Sequence, residues 1–440
     1  MNMQQVRQTP FGTTTIAFGV AFSLLGGCAS TPANKAPIPA QPVIAQSVKR
    51  PDLPNQELSN QTLYTLLLAE IALQRGDLGL ASRAYKDLVQ NTNDYRVAER
   101  AAQVALSAQN PDEGLNAARR WLELEPDSIQ AVQTVAGILV SKGQLVKAKP
   151  HIQKILSAEG TNIGQGFLYL NKLLGRHANK AETLALVQEL AGDYPNLPEA
   201  HVATARAAWQ AENKALALQE IDAALSQRPG WEDAALFKAQ ILQNTSTAKA
   251  QKFYTVYLRD NPRSRDLRLA YARFLVQEKQ YPAAREEFKR LSGDFPDQAD
   301  VPLAIGLLSM QLKDYEAAEL YLRQALERGV KDEDSVRLYL GQLNEERKQW
   351  DEARQWYEAV GDAQAFNAKL RIAQMVARQG KLADARSYLQ TIEPTNNQQR
   401  TQLVSAEAAL LRDAKQYQDA FDVLGKALVK LPNHPDLLYD

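Results

Sequence analysis

An all-α fold of stacked helix–turn–helix repeats is predicted by three features of this sequence. A small residue recurs from Ala81 to Ala420 at intervals of 32 to 35 residues. Around it, apolar residues fall at i, i+3, i+4 and i+7, the period of an amphipathic helix. Several copies close on a proline, which cannot continue the helical hydrogen-bond ladder. One such hairpin cannot bury its own apolar face, so neighbours must stack into a solenoid.

The elements follow in chain order. Residues 1–27 read as a signal peptide. Arg7 and the α-amino group supply positive charge, and the apolar stretch from Ile16 to Leu25 is shorter than the ~20 residues that span a bilayer. The stretch ends in Leu25-Gly26-Gly27-Cys28, which resembles the lipobox of bacterial lipoprotein precursors. The resemblance implies cleavage before Cys28, whose thiol takes the lipid. Two or three acyl chains anchor stably where one binds marginally. By resemblance to lipoprotein sorting signals, Ala29 implies the periplasmic face of the outer membrane. Residues 28–60 are then the lipidated Cys and a tether with Pro32, Pro37, Pro39, Pro42, Pro51 and Pro54. No helical or strand period survives there, so disorder is expected. Thirty such residues reach about 90 Å at ~3.1 Å each. They serve either as a spacer off the membrane or as a neutral post-signal segment.

Residues 61–435 hold the repeats. The clearest copy, 265–298, carries Tyr271, Ala272, Leu275, Tyr281, Ala284, Phe288, Leu291 and Pro296. The next carries Ile305, Gly306, Tyr315, Ala318, Leu322 and Ala325, and the one after it Leu340, Gly341, Trp350, Ala353, Tyr357 and Val360. Eleven copies can be laid down on Ala81, Gly114, Ala148, Thr183, Ala217, Ala250, Ala284, Ala318, Ala353, Ala385 and Ala420. Closing prolines stand at 126, 195, 229, 262, 296 and 432, and turn glycines at Gly76, Gly143 and Gly380. The pattern resembles the tetratricopeptide repeat, which implies a superhelical solenoid of about eleven repeats. The fourth copy, about 164–197, departs from it. Asn171 and Thr183 replace the small residues, and Gly175-Arg176-His177 interrupts the turn. Drift is the favoured reading there, a bend between two halves the other. Residues 436–440 read as the start of a further helix, truncated.

Composition narrows the function. Lys+Arg and Asp+Glu are both 51, a net charge of zero, which argues against a nucleic-acid binder. A lone Cys makes no internal disulfide or multi-cysteine metal site. His151, His177, His201 and His434 lie in separate repeats and read as surface residues. The carboxylate pairs Glu286-Glu287 and Glu345-Glu346 read as solvated helix faces. No phosphate loop, His-Glu-x-x-His or serine elbow occurs. No catalysis, metal or cofactor is expected.

What remains is a surface. The repeat resemblance implies a concave groove lined by the first helix of each copy. Mapped onto this chain, it assigns partner binding to Arg206, Trp209, Gln210, Leu242, Arg273, Gln277, Leu307, Met310, Gln311, Tyr339, Gln342 and Glu345. Trp, Tyr, Met and Arg are enriched at protein interfaces. The alternative for each residue is packing against a neighbouring helix. A finer signal lies in the first two copies: Leu63 to Ala72, then Gln74-Arg75-Gly76-Asp77, Ala81, Tyr85, and Val97-Ala98-Glu99-Arg100-Ala101 after Asp94. This run is similar to outer-membrane lipoproteins that act as adaptors for carboxyl-terminal processing proteases. The resemblance implies a scaffold holding a periplasmic serine protease together with its substrates, cell-wall hydrolases among them, and raising their effective concentration. Other repeat lipoproteins assemble pili, secretins or other envelope complexes, and that is the competing reading.

Overall fold

The computed structural model describes residues 59–175, 177–296 and 298–430, together with Leu437. The signal segment, Cys28 and the tether through Leu58 lie outside the described residues, as does 436–440 apart from Leu437.

The described residues fold into helical hairpins. Helix α1 (Asn60–Gln74) pairs with α2 (Leu78–Asn91), α3 (Tyr95–Ser107) with α4 (Pro111–Leu124), and α5 (Ile129–Ser141) with α6 (Leu145–Ala158). A 3₁₀ turn at Gly160–Asn162 leads to α7 (Ile163–Leu174) and α8 (Lys180–Gly192). Then come α9 (Pro198–Gln210) and α10 (Lys214–Gln227), α11 (Glu232–Gln243) and α12 (Thr247–Asp260), and α13 (Arg265–Gln277) and α14 (Tyr281–Asp294). The last are α15 (Asp300–Gln311) and α16 (Tyr315–Glu327), α17 (Glu333–Glu346) and α18 (Trp350–Glu358), α19 (Asp362–Arg378) and α20 (Leu382–Gln390), and α21 (Asn397–Asp413) and α22 (Tyr417–Lys430). No strand occurs among the described residues. The chain divides into two compact units, the boundary falling between Leu267 and Arg268.

The repeat register is visible in burial. Every small residue from Ala81 to Ala420 lies on the second helix of its hairpin and is buried. On the first helix the matching close approach occurs at Gly306 and Gly341. A methyl group on Gly306 would meet Leu322 Cγ at 2.8 Å, and one on Gly341 would enter the ring of Tyr357. Five of the closing prolines stand two or three residues past the second helix, at 126, 195, 229, 262 and 296.

Nine of the hairpin turns solve one local problem in the same way; among the described residues the α7–α8 and α11–α12 turns carry no residue of positive φ. A residue with positive φ reverses the chain, and the next residue starts the second helix. Gly76, Gly143 and Gly380 fill that place, as expected of a residue without a Cβ. Gln109, Glu212, Lys279, Lys313, Lys348 and Lys415 fill it elsewhere with φ near 60°. The residue that follows is often an acceptor cap: Asp77 accepts from the Leu80 amide at 2.9 Å, and Asn213 from the Leu216 amide at 3.1 Å.

In the N-terminal unit an apolar core runs from Ala69 through Leu139, Ile152, Phe167 and Val187 to Ala207. It passes without interruption through the degenerate fourth copy. There Thr183, at the alanine-type position, is buried and donates to the Asn179 carbonyl at 2.9 Å. His177 is also buried, contrary to its reading as a surface residue. Its Nδ1 lies 3.1 Å from the Asn179 carbonyl and 3.2 Å from Thr183 Oγ1. The Asn179 carbonyl thus takes the proton that a hydroxyl in the core must donate, and the imidazole adds a second polar neighbour. In the C-terminal unit, successive clusters centre on Leu322 and Leu340, on Tyr357 and Ile372, and on Leu389 and Leu410. A smaller one joins Ala408, Leu424 and Leu437.

Candidate functional site

In the N-terminal unit the expected docking residues stand at i, i+3 and i+4 on α9, hence on one helix face. Arg206 and Gln210 are exposed, and Trp209 is half-buried. Trp209 packs on the cluster of Ala205, Ala208, Ile221 and Ile241, which holds the indole in place. The Arg206 guanidinium lies 5.0 Å from the centre of the Phe237 ring on α11, a cation–π contact that bridges two hairpins. The result is a preorganised aromatic and cationic surface. Leu242 does not join it: the side chain is buried, and its carbonyl accepts from the Thr245 and Ser246 amides at 3.0 and 2.7 Å.

The C-terminal unit carries the remaining positions. On α13, Gln277 is exposed and Arg273 half-buried. Among the described residues, Arg273 Nε is buried without a hydrogen-bond partner. On α15, Gln311 is half-buried and its Oε1 also lacks a partner among the described residues. Leu307 and Met310 are buried, Met310 in the cluster with Leu322, Ala325 and Leu340. On α17, Tyr339 and Gln342 are half-buried. Burial, with a smaller contribution from Asp332, pushes the Tyr339 phenol up. Glu345 is buried and accepts from the Tyr357 hydroxyl at 3.0 Å and from Arg378 Nη1 at 2.6 Å. Burial first, and then the Glu345 charge, holds the Tyr357 phenol far above its ordinary range.

Leu242, Leu307, Met310 and Glu345 therefore offer a partner little surface. Repeat position assigns a side chain to a helix face, but what packs over that face depends on the neighbouring hairpin. The solvated reading of the carboxylate pairs also needs correction for one member of each. Glu287, like Glu345, is buried, and it receives Arg268 Nη1 at 2.7 Å and Arg290 Nη1 at 2.8 Å. Glu286 and Glu346 do face solvent. Burial pulls the first kind inward only because an arginine accompanies it. His201 is half-buried, with Nδ1 2.7 Å from Glu220 Oε2 and Nε2 2.9 Å from the Pro195 carbonyl. No helix among the described residues is long and apolar enough to cross a membrane. Among the same residues no cluster of three His, Cys, Asp or Glu is placed to hold a metal. A hollow of about 120 Å³ between α2, α3 and α4 is floored by Ala101, Ala105 and Ala117, with the Lys86–Glu113 ion pair at 2.7 Å on its lining. It is well below the ~300 Å³ of ordinary ligand pockets.

The hairpin register and the family comparison agree. Two family models described as tetratricopeptide repeat match residues 242–307 and 303–367. This chain is built of tetratricopeptide repeats. A repeat-containing protein of Pseudomonas aeruginosa is 28% identical over 422 residues, covering 94% of this chain and 70% of that protein. Among solved structures, the C-terminal part of a tetratricopeptide-repeat protein from Cytophaga hutchinsonii aligns with a TM-score of 0.40 at 16% identity, over 53% of this chain and 98% of that one. Pseudomonas aeruginosa pilF aligns with a TM-score of 0.31 at 22% identity, over 49% and 97%. The tetratricopeptide architecture is that of a protein–protein interaction scaffold. Its stacked hairpins display side chains from successive first helices to a macromolecular partner.

Proposed function

We propose that this protein is a non-catalytic scaffold of the outer membrane's periplasmic face, anchored through lipid on Cys28, that delivers cell-wall hydrolases to a carboxyl-terminal processing protease. The observation that carries the scaffold reading is the display of Arg206, Trp209 and Gln210 on one backed face of a repeat helix. Gln277 and the half-buried Arg273 offer comparable chemistry in the C-terminal unit. The anchor rests on Leu25-Gly26-Gly27-Cys28, and the adaptor role on the resemblance carried by Leu63–Ala72 and Val97–Ala101.

The test is a crosslinked pull-down of the protein from native envelopes, read by mass spectrometry. Recovery of a carboxyl-terminal processing protease with cell-wall hydrolases supports the adaptor. Recovery of pilus, secretin or other assembly proteins without a protease overturns it. Trp209→Ala should weaken partner capture at least several-fold while leaving helical circular dichroism unchanged. Equal loss of helicity would make Trp209 a packing residue. Palmitate labelling should vanish in Cys28→Ala, and its persistence there would remove the anchor.

A further inference from the structure

Three successive first helices of the N-terminal unit carry almost no negative charge. Helices α5 and α7 contain no Asp or Glu, and α9 contains only Glu199. Glu199 is buried and paired with Arg228 at 2.7 Å. The lysine and arginine of these helices are Lys172 on α7 and Arg206 on α9, and both are exposed. Elsewhere in the same unit Lys142, Arg228 and Lys238 meet carboxylates at 2.5, 2.7 and 2.6 Å. Lys172 and Arg206 meet none among the described residues.

The two charges stand abreast. Helices α7 and α9 pack on each other. A methyl group on Gly164 would meet the Glu199 carboxyl carbon at 2.7 Å, and one on Gly175 would lie 3.9 Å from Gln210 Nε2. The helices therefore run side by side in the same direction. Lys172 precedes Gly175 by three residues and Arg206 precedes Gln210 by four, one helical turn in each case. Both cations thus sit at one level on adjoining helix faces. Trp209 lies one turn further along α9 on the same face, and the Arg206 guanidinium is held 5.0 Å from the Phe237 ring.

We infer that this strip binds an extended acidic segment of a partner protein, with two carboxylates three residues apart. The inference rests on the docking reading of the α9 face and names what that face recognises. Two unpaired cations on helices almost free of acids select a negatively charged occupant. Their separation sets its spacing. Packed helices lie about 8–10 Å apart between axes. A segment in the polyproline II conformation advances ~3.1 Å per residue and returns to the same face every third residue, so carboxylates at i and i+3 stand about 9 Å apart. One meets Lys172 and the other Arg206, and a neighbouring apolar side chain rests on Trp209.

A display library of short random peptides panned on the full chain tests this, followed by fluorescence anisotropy of the strongest binder. The expected result is enrichment of Asp or Glu at two positions three residues apart. Changing both to the corresponding amides should weaken binding about tenfold. Lys172→Gln and Arg206→Gln should each weaken it about threefold, an effect that shrinks as salt is raised. Trp209→Ala separates this inference from the docking reading. Loss of binding in Trp209→Ala with none in the two charge variants would keep the docking face and overturn its acidic specificity. Unchanged binding in all three variants would overturn both. Selection of peptides without paired acids, failure to select any binder, or equal competition by a single-stranded oligonucleotide of the same charge would also overturn the inference.

Discussion

Lys313 occupies the left-handed region at φ 58°, where a side chain is strained and glycine is not. The equivalent places at Gly76 and Gly143 show what the turn prefers. Lys313→Gly should therefore raise stability by about 0.5–1 kcal/mol, measured by urea unfolding. A loss of stability would mean that the lysine side chain contributes something the backbone argument lacks. Two phenols give a second prediction at this scale. Burial, reinforced by Glu70, pushes Tyr85 up to about 12, and burial pushes Tyr254 to about 12 against a weaker opposing bond from Gln243. Their unfolded counterparts titrate near 10. The folded state thus keeps protons that the unfolded state releases. Their stabilising contribution is full below about pH 10 and is lost as pH rises towards 12. Unfolding curves across that window should show a shallower decline in Tyr85→Phe than in the native chain. An unchanged slope would remove Tyr85 as a cause.

A single hairpin shows how a small residue sets helix spacing. Gly341 on α17 lies against the Tyr357 ring on α18, closer than any Cβ could sit. Gly341→Ala should cost about 1–3 kcal/mol through forced separation of the two helices, with thermal unfolding as the readout. Retention of the native melting temperature would show that the ring can move aside. That movement is opposed by the Tyr357 hydroxyl's bond to Glu345, itself held by Arg378. Hairpin identity was legible in the sequence because alanine spacing and proline placement each report a backbone requirement. The buried carboxylates were not. Glu286 and Glu287 are chemically identical neighbours, and what distinguishes them is that Glu287 receives Arg268 across the hairpin as well as Arg290, while Glu286 meets Lys289 at the surface. The same holds for His177, whose ring lies against the Asn179 carbonyl and Thr183 one helical turn into α8.

Stability in a stacked-hairpin molecule is a sum of repeat and nearest-neighbour contributions. A core deletion should therefore be felt locally. Phe167 is fully buried and meets the Tyr194 ring edge-on at 5.5 Å between centroids. Phe167→Ala should cost about 3–5 kcal/mol. Hydrogen exchange should show lost protection concentrated in α5 to α9, with little change in α21 and α22. Uniform loss along the whole chain would instead indicate one cooperative unit.

The sequence by itself determined the all-helical class, the hairpin count that its period supports, and the register of the buried small residues. These follow from local rules: helical periodicity, the cost of a Cβ at a close crossing, and proline's missing amide. It also marked the exposed candidates Arg206, Gln210 and Gln277. Only the tertiary structure decided that Leu242, Leu307, Met310 and Glu345 are packed away and that Trp209 is backed by a cluster. Exposure is a property of what comes to rest against a residue. That neighbour is a separate hairpin whose approach is set by packing across the interface, not by the residue's own place in the repeat.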